Sequence, residues 1–213
     1  GLDVVSIGEL YTAYKAGADF DKVCFHGNNK TDEELEYAVK LNVGRIIVDN
    51  IYELKRLDKI AEKQGVTANI MFRIKPGIDA HTHDFVRTGQ IDSKFGFALE
   101  TGEAMDAVKI ALSHPNIHLK GLHCHIGSQI FDIDPFVEAA KVMLKFIADI
   151  KEQTGHEVSE LNLGGGFGIK YTEDNDPVPY EAYMEKVSVA VKESCSELNI
   201  KLPFILIEPG RSM

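Results

Sequence analysis

Short apolar runs alternate with longer amphipathic stretches along the whole of this 213-residue chain. The apolar runs at residues 4–5, 23–25, 46–48, 68–73, 118–125, 158–163 and 203–208 read as strands, and helical periodicity fills most of the segments between them. Strict strand–helix alternation leaves few folds, because each crossover makes its two strands parallel and lays a helix on the sheet. The expected class is α/β, either a doubly wound sheet or a (β/α)8 barrel. Polar residues at the ends of many strands favour the barrel, whose rim collects a site from all around. Seven strands are one short of closure, and both ends of the chain read as cut. The expected organisation is one barrel domain over residues 1–213, truncated at both ends.

Helix starts are marked locally. Ser6 with Glu9, Thr31 with Glu34 and Asn50 with Glu53 have the spacing of capping boxes. Asp134-Pro135 opens a helix expected to reach about residue 153, with proline in the first turn. Further helices are expected at 102–113 and 180–198. Residues 74–93 read as a long polar loop, a length that usually carries function.

A hydrophobic content of 44% is ample for a core. The net charge of −10 argues against nucleic acid or an anionic membrane as partner. No apolar run approaches the roughly 20 residues of a membrane-spanning helix. Cys24, Cys124 and Cys195 are dispersed and lack metal-type spacing, which suggests core-filling thiols in a reducing, cytoplasmic setting.

The chemistry concentrates at strand ends. Glu208-Pro209-Gly210-Arg211 follows the apolar run 204–207 and brings together a carboxylate, a forked cation and open backbone N–H groups. Asn162-Leu163-Gly164-Gly165-Gly166-Phe167-Gly168 is a glycine-rich turn of the kind that lets a backbone approach an anion. No Lys-Ser/Thr follows it, so it is not a P-loop, and its spacing is not that of a dinucleotide fingerprint. A tight structural turn is the alternative. His123 and His125 share one face of a strand. They are read either as one packed and one partly exposed histidine or, with His81, His83 and Asp84, as zinc ligands. The metal reading lacks a third strand with a suitable ligand. Ser128 suits a hydroxyl donor to phosphate. Arg73 is a ligand contact or half of a buried ion pair. Asp3 and Asp49 are rim carboxylates or helix caps, and Lys30 is expected to be solvated or anion-binding. Glu208 fits the carboxylate that keeps a pyridine nitrogen protonated in an electron-sink cofactor, with pairing to Arg211 or Arg73 as the alternative.

Taken together, these phrases resemble fold-type III pyridoxal-phosphate decarboxylases, the family that includes ornithine, arginine and diaminopimelate decarboxylases, and most closely the last group. The resemblance rests on Asp3-Val4-Val5-Ser6, Phe25-His26-Gly27-Asn28-Asn29-Lys30, Arg73-Ile74-Lys75-Pro76-Gly77, His81-Thr82-His83, Asp92-Ser93-Lys94-Phe95-Gly96, His123-Cys124-His125-Ile126-Gly127-Ser128-Gln129, residues 162–168 and Glu208-Pro209-Gly210-Arg211, and so covers the whole chain. It implies an alanine-racemase-like barrel that binds pyridoxal 5′-phosphate and here lacks its first strand and the C-terminal β domain. It also implies roles for individual residues. Glu208 contacts the pyridine nitrogen and His125 stacks on the ring. Ser128, Gly164, Gly165, Gly166 and the backbone at Pro209, Gly210 and Arg211 hold the phosphate. The Arg211 side chain binds a substrate carboxylate, while Asp3 and Arg73 support the cofactor site.

The implied reaction is decarboxylation of meso-diaminopimelate to L-lysine by a cytoplasmic homodimer. The family's Schiff-base lysine and catalytic cysteine match no residue here, so residues 1–213 alone are expected to be inactive. A sister decarboxylase of arginine, ornithine or carboxynorspermidine is the nearest rival. A zinc amidohydrolase and a noncatalytic cofactor-binding barrel are the more distant ones.

Overall fold

The computed structural model describes residues 1–78 and 95–213. These form two compact units, one built mainly from residues 1–73 and 101–121, the other mainly from residues 122–213. The histidines at 81 and 83, Asp84 and most of the expected loop 74–93 lie outside the described residues.

The first unit contains β1 (Leu2–Val4), α1 (Ile7–Lys15), β2 (Val23–Phe25), α2 (Asp32–Lys40), β3 (Arg45–Val48), α3 (Ile51–Gln64), most of β4 (Ala68–Lys75), part of the short β5 (Phe97–Ala98), α4 (Glu103–Ser113) and the start of β6 (Ile117–Cys124). Its strand order is β1-β2-β3-β4-β6, with β5 on β4. The pairs β1–β2, β2–β3 and β3–β4 are parallel, in registers such as Asp3↔Cys24, Phe25↔Ile46 and Ile47↔Met71. Phe25, Ile46, Ile47, Val48, Ile70, Met71 and Phe72 are fully buried. Such unbroken apolar strands are expected where both faces of a parallel sheet are covered. The helices bury one stripe each: Leu10 and Ala13 from α1, Leu35, Ala38 and Val39 from α2, Leu54, Leu57, Ile60 and Ala61 from α3.

The helix starts follow the sequence closely. Thr31 and Glu34 form the full reciprocal capping box. Ser6 accepts from the Glu9 N–H, but the Glu9 carboxylate reaches back one residue further, to the Val5 N–H at 2.6 Å. Asn50 accepts from the Glu53 N–H, while Glu53 Oε2 takes the Asp49 N–H instead of that of Asn50.

The second unit contains the last three residues of β6, then α5 (Asp134–Thr154), β7 (Glu160–Asn162), α6 (Tyr180–Glu197) and β8 (Phe204–Leu206). Its strand order is β6-β7-β8, and β7 and β8 are parallel with Leu161 opposite Ile205. Helices α5 and α6 pack on each other, with Phe136, Ala140, Met143 and Leu144 buried on α5 and Tyr183, Val187 and Val191 buried on α6. Phe136 and Phe167 stack at 4.7 Å between centroids, and Tyr183 meets both edge-on. The Tyr183 hydroxyl donates to the carbonyls of Ile130 and Phe131. This aromatic knot ties the residues after β6 and the glycine turn after β7 to α5 and α6.

Candidate active site

Three chain segments of the second unit line a cleft of about 190 Å³: His125 and Ser128 after β6, Gly165, Gly166 and Phe167 after β7, and Glu208, Pro209, Gly210 and Arg211 after β8. All three leave the carboxyl ends of parallel strands, where α/β folds place their sites. The local chemistry of each segment explains its path.

The glycines after β7 are required by the close approach of neighbouring backbone. A Cβ at Gly165 would lie inside contact distance of the Glu208 carbonyl, and one at Gly166, where φ is +104°, would collide with the Gly127 carbonyl. Only glycine therefore lets all three segments come together. Gly164 does not line the cleft; it accepts the Glu208 N–H at 2.8 Å and fixes the start of the last segment.

Glu208 is held from its own unit. Asn162 Nδ2 donates to Glu208 Oε1 at 2.7 Å, and His123 Nε2 lies 3.6 Å from the same oxygen. His123 is buried and His125 exposed, as in the reading of one packed and one open histidine. Arg211 Nε donates to the Ser128 hydroxyl at 3.1 Å, and its Nη1 donates to the Tyr171 hydroxyl, whose ring also lies beneath the guanidinium. A hydroxyl and the peptide groups of a glycine turn form a donor set for a dianion, and a guanidinium and a partly buried carboxylate stand beside them. That combination fits a phosphorylated aromatic cofactor with a basic ring nitrogen.

The other candidate residues belong to the first unit. Asp3 Oδ1 lies 3.9 Å from His26 Nε2. The Arg73 guanidinium sits over the Phe95 ring at 4.5 Å. Asp49 is buried; burial pushes its carboxyl above the usual value, against the opposing pull of Arg73 and Lys30. Lys30 departs from the sequence expectation. It is 4% exposed, and its ammonium donates to the carbonyls of Gly27 and Ile47 and to Glu53 Oε1 at 2.8 Å. It is therefore a buried tie between β3, α3 and the segment after β2, not a solvated or anion-binding group. Burial pushes the Glu53 carboxyl up, although Lys30 opposes this.

Three contributors escaped the sequence reading. Asn162 and Gln129 were visible only as members of longer phrases, and Tyr171 carried no signal because its partner is 40 residues away.

The strand–helix order and the cleft at the strand ends define an incomplete (β/α)8 barrel that matches the N-terminal domain of fold-type III pyridoxal enzymes. The chain belongs to the pyridoxal-dependent decarboxylase family, whose pyridoxal-binding domain matches residues 1–213. A diaminopimelate decarboxylase of Bacillus methanolicus is 50% identical over 212 residues, covering 100% of this chain and 49% of the relative. The crystal structure of diaminopimelate decarboxylase from M. jannaschii in co-complex with L-lysine superposes with a TM-score of 0.92 at 38% identity, over 100% of this chain and 48% of that one. The Helicobacter pylori diaminopimelate decarboxylase complexed with L-lysine gives 0.85 at 35% identity, over 100% and 51%. The chain thus spans about half the length of the relatives it matches. Among the described residues, no helix is long and apolar enough to cross a membrane.

Proposed function

We propose that this chain is the pyridoxal-phosphate-binding barrel domain of an enzyme that decarboxylates meso-diaminopimelate to L-lysine, acting as a cytoplasmic homodimer. The observation that carries the reading is the joining of Glu208, Ser128, Arg211 and the glycine turn around one cleft. Family membership and the diaminopimelate decarboxylases among its relatives support it.

Bound pyridoxal phosphate supplies the electron sink for the pair left behind when the bond from the substrate carbon to its carboxylate breaks. The protein's own residues set up that chemistry. The Glu208 carboxylate, oriented by Asn162, would keep a proton on the ring nitrogen. His125, exposed at the cleft wall, would pack against the cofactor. Ser128 and the peptide N–H groups of Gly165, Gly166 and Arg211 would hold the phosphate, while Gly164, whose N–H is taken by Asn162 and whose carbonyl is taken by Glu208, sets the path of the turn. The Arg211 guanidinium, exposed at the cleft, would bind a substrate carboxylate and so favour a diacid over a plain diamine precursor, which offers no second carboxylate for its charge-assisted bonds.

The test uses the full-length protein. Its visible absorbance is recorded with pyridoxal phosphate before and after borohydride, and carbon dioxide release from meso-diaminopimelate is assayed. A reducible chromophore with turnover is the expected result. A chromophore without turnover on this substrate transfers the assignment to a sister decarboxylase. Absence of any chromophore overturns the cofactor reading.

A further inference from the structure

Gln129 combines a left-handed backbone with a two-point side-chain clamp. Its φ is +55°, a region that side chains other than asparagine and glycine seldom enter. The other non-glycine residues with positive φ among those described are Asn42 and Asn199, both just beyond helix ends, where asparagine is a common solution. Gln129 lies at no helix end. Its amide is engaged at both atoms: Nε2 donates to the Ile169 carbonyl at 3.1 Å, and Oε1 accepts the Ile169 N–H at 3.0 Å. The side chain thereby reproduces the pairing of a neighbouring strand. Next to it, the Ile130 N–H donates to Gly166 O at 2.9 Å and the Gly168 N–H to Ile130 O at 2.8 Å. Four hydrogen bonds thus stitch the segment carrying Ser128 to the segment carrying Gly165 and Gly166.

Gln129 does not line the cleft, yet it sits between the residues that do. Strained backbone persists where the surroundings over-determine it, and such positions gather at ligand sites. We infer that Gln129 is a positioning residue, which sets the spacing between the Ser128 hydroxyl and the peptide groups of the glycine turn so that both engage one phosphate. The inference rests on the proposed cofactor reading and extends it to a residue outside the cleft.

Comparison of two ligands that differ only in the phosphate tests the idea. Dissociation constants for pyridoxal phosphate and for pyridoxal are measured on the full-length protein, as wild type and as Gln129→Gly, by absorbance or fluorescence titration. Glycine relieves the backbone strain but removes the clamp. Affinity for pyridoxal phosphate should fall by about tenfold to a hundredfold, the scale on which supporting shells act, with affinity for pyridoxal unchanged. Gln129→Asn tolerates the positive φ, brings no charge, and is one methylene too short to meet both Ile169 atoms, so it should show the same phosphate-specific loss to a smaller degree. It also provides the test if the glycine variant does not fold. Equal losses for both ligands would mean general disruption, and no loss would mean the clamp is idle; either overturns the inference while leaving the cofactor reading intact. A wild-type protein that binds neither ligand overturns the cofactor reading itself, and this inference with it.

Discussion

Asn162 bridges Glu208 and the glycine turn: its Nδ2 donates to Glu208 Oε1 at 2.7 Å, and its Oδ1 accepts the Gly164 N–H at 2.9 Å. One fully buried amide therefore orients the carboxylate and sets the turn that carries Gly165 and Gly166. Replacing it with leucine strips both bonds at similar volume. An unmet buried partner costs about 1–3 kcal/mol, which amounts to about a 5- to 150-fold loss of pyridoxal phosphate affinity. Titration of the cofactor into full-length Asn162→Leu protein checks this. Unchanged affinity would show that Glu208 and the turn hold their positions without it.

The Lys30–Glu53 pair is nearly inaccessible, with side chains 2% and 3% exposed. Burying two charges is expensive, so the pair is weak evidence for net stability, but breaking it leaves a lone charge in the interior. Lys30→Met and Glu53→Leu should each destabilise the protein by about 3–5 kcal/mol, and the double variant Lys30→Met/Glu53→Leu should recover most of that loss. Denaturant unfolding of the three variants decides the matter. Additive losses in the double variant would show that Lys30 acts through the Gly27 and Ile47 carbonyls and not through Glu53.

Lys30 also shows where sequence reading stops. Its three partners lie 3, 17 and 23 residues away, so burial of that long side chain is a tertiary outcome which no local pattern encodes. Helix starts were legible because a cap is made within four residues, as Thr31 and Glu34 show. The inner strands β2, β3 and β4 were legible because their apolar runs are largely buried, whereas β1 and β8 are partly exposed and showed only as short apolar runs; the two-residue β5 was too short to register. At the site, the phrases containing Ser128, the glycine turn and Glu208 were legible as chemistry at strand ends. The bonds that fix them, Asn162 to Glu208 and Gln129 to Ile169, span 46 and 40 residues and emerge only when the strands lie side by side.

Asp49 gives a pH dependence whose sign can be worked out. Burial raises its carboxyl above the ordinary 3.8, with Arg73 and Lys30 opposing. A carboxylate with a raised folded-state value contributes stability below the unfolded value, and that contribution is lost as pH rises through the folded value. Asn cannot titrate. Relative to wild type, Asp49→Asn should therefore fare better as pH rises from below 4 toward neutrality. Thermal midpoints of both proteins across this range supply the check. A difference that moves against the variant with rising pH would mean that the cations outweigh desolvation.

Tyr171 and Arg211 provide the last prediction. The Tyr171 hydroxyl accepts from Arg211 Nη1 while Ser128 accepts from Nε, so the guanidinium is held on two sides. Among the described residues, no hydrogen bond engages Nη2, which leaves that edge for an anion. Tyr171 is 61% exposed, and the bond competes with water, so its loss should be modest. Tyr171→Phe keeps the ring beneath the guanidinium and removes only the hydroxyl. If Arg211 binds a substrate carboxylate, KM for meso-diaminopimelate should rise about two- to tenfold, the scale of one net hydrogen bond, with kcat and cofactor affinity unchanged. Steady-state kinetics alongside cofactor titration separates the possibilities. A weaker affinity for pyridoxal phosphate with KM unaltered would move the Arg211 guanidinium from the substrate to the phosphate, next to Ser128.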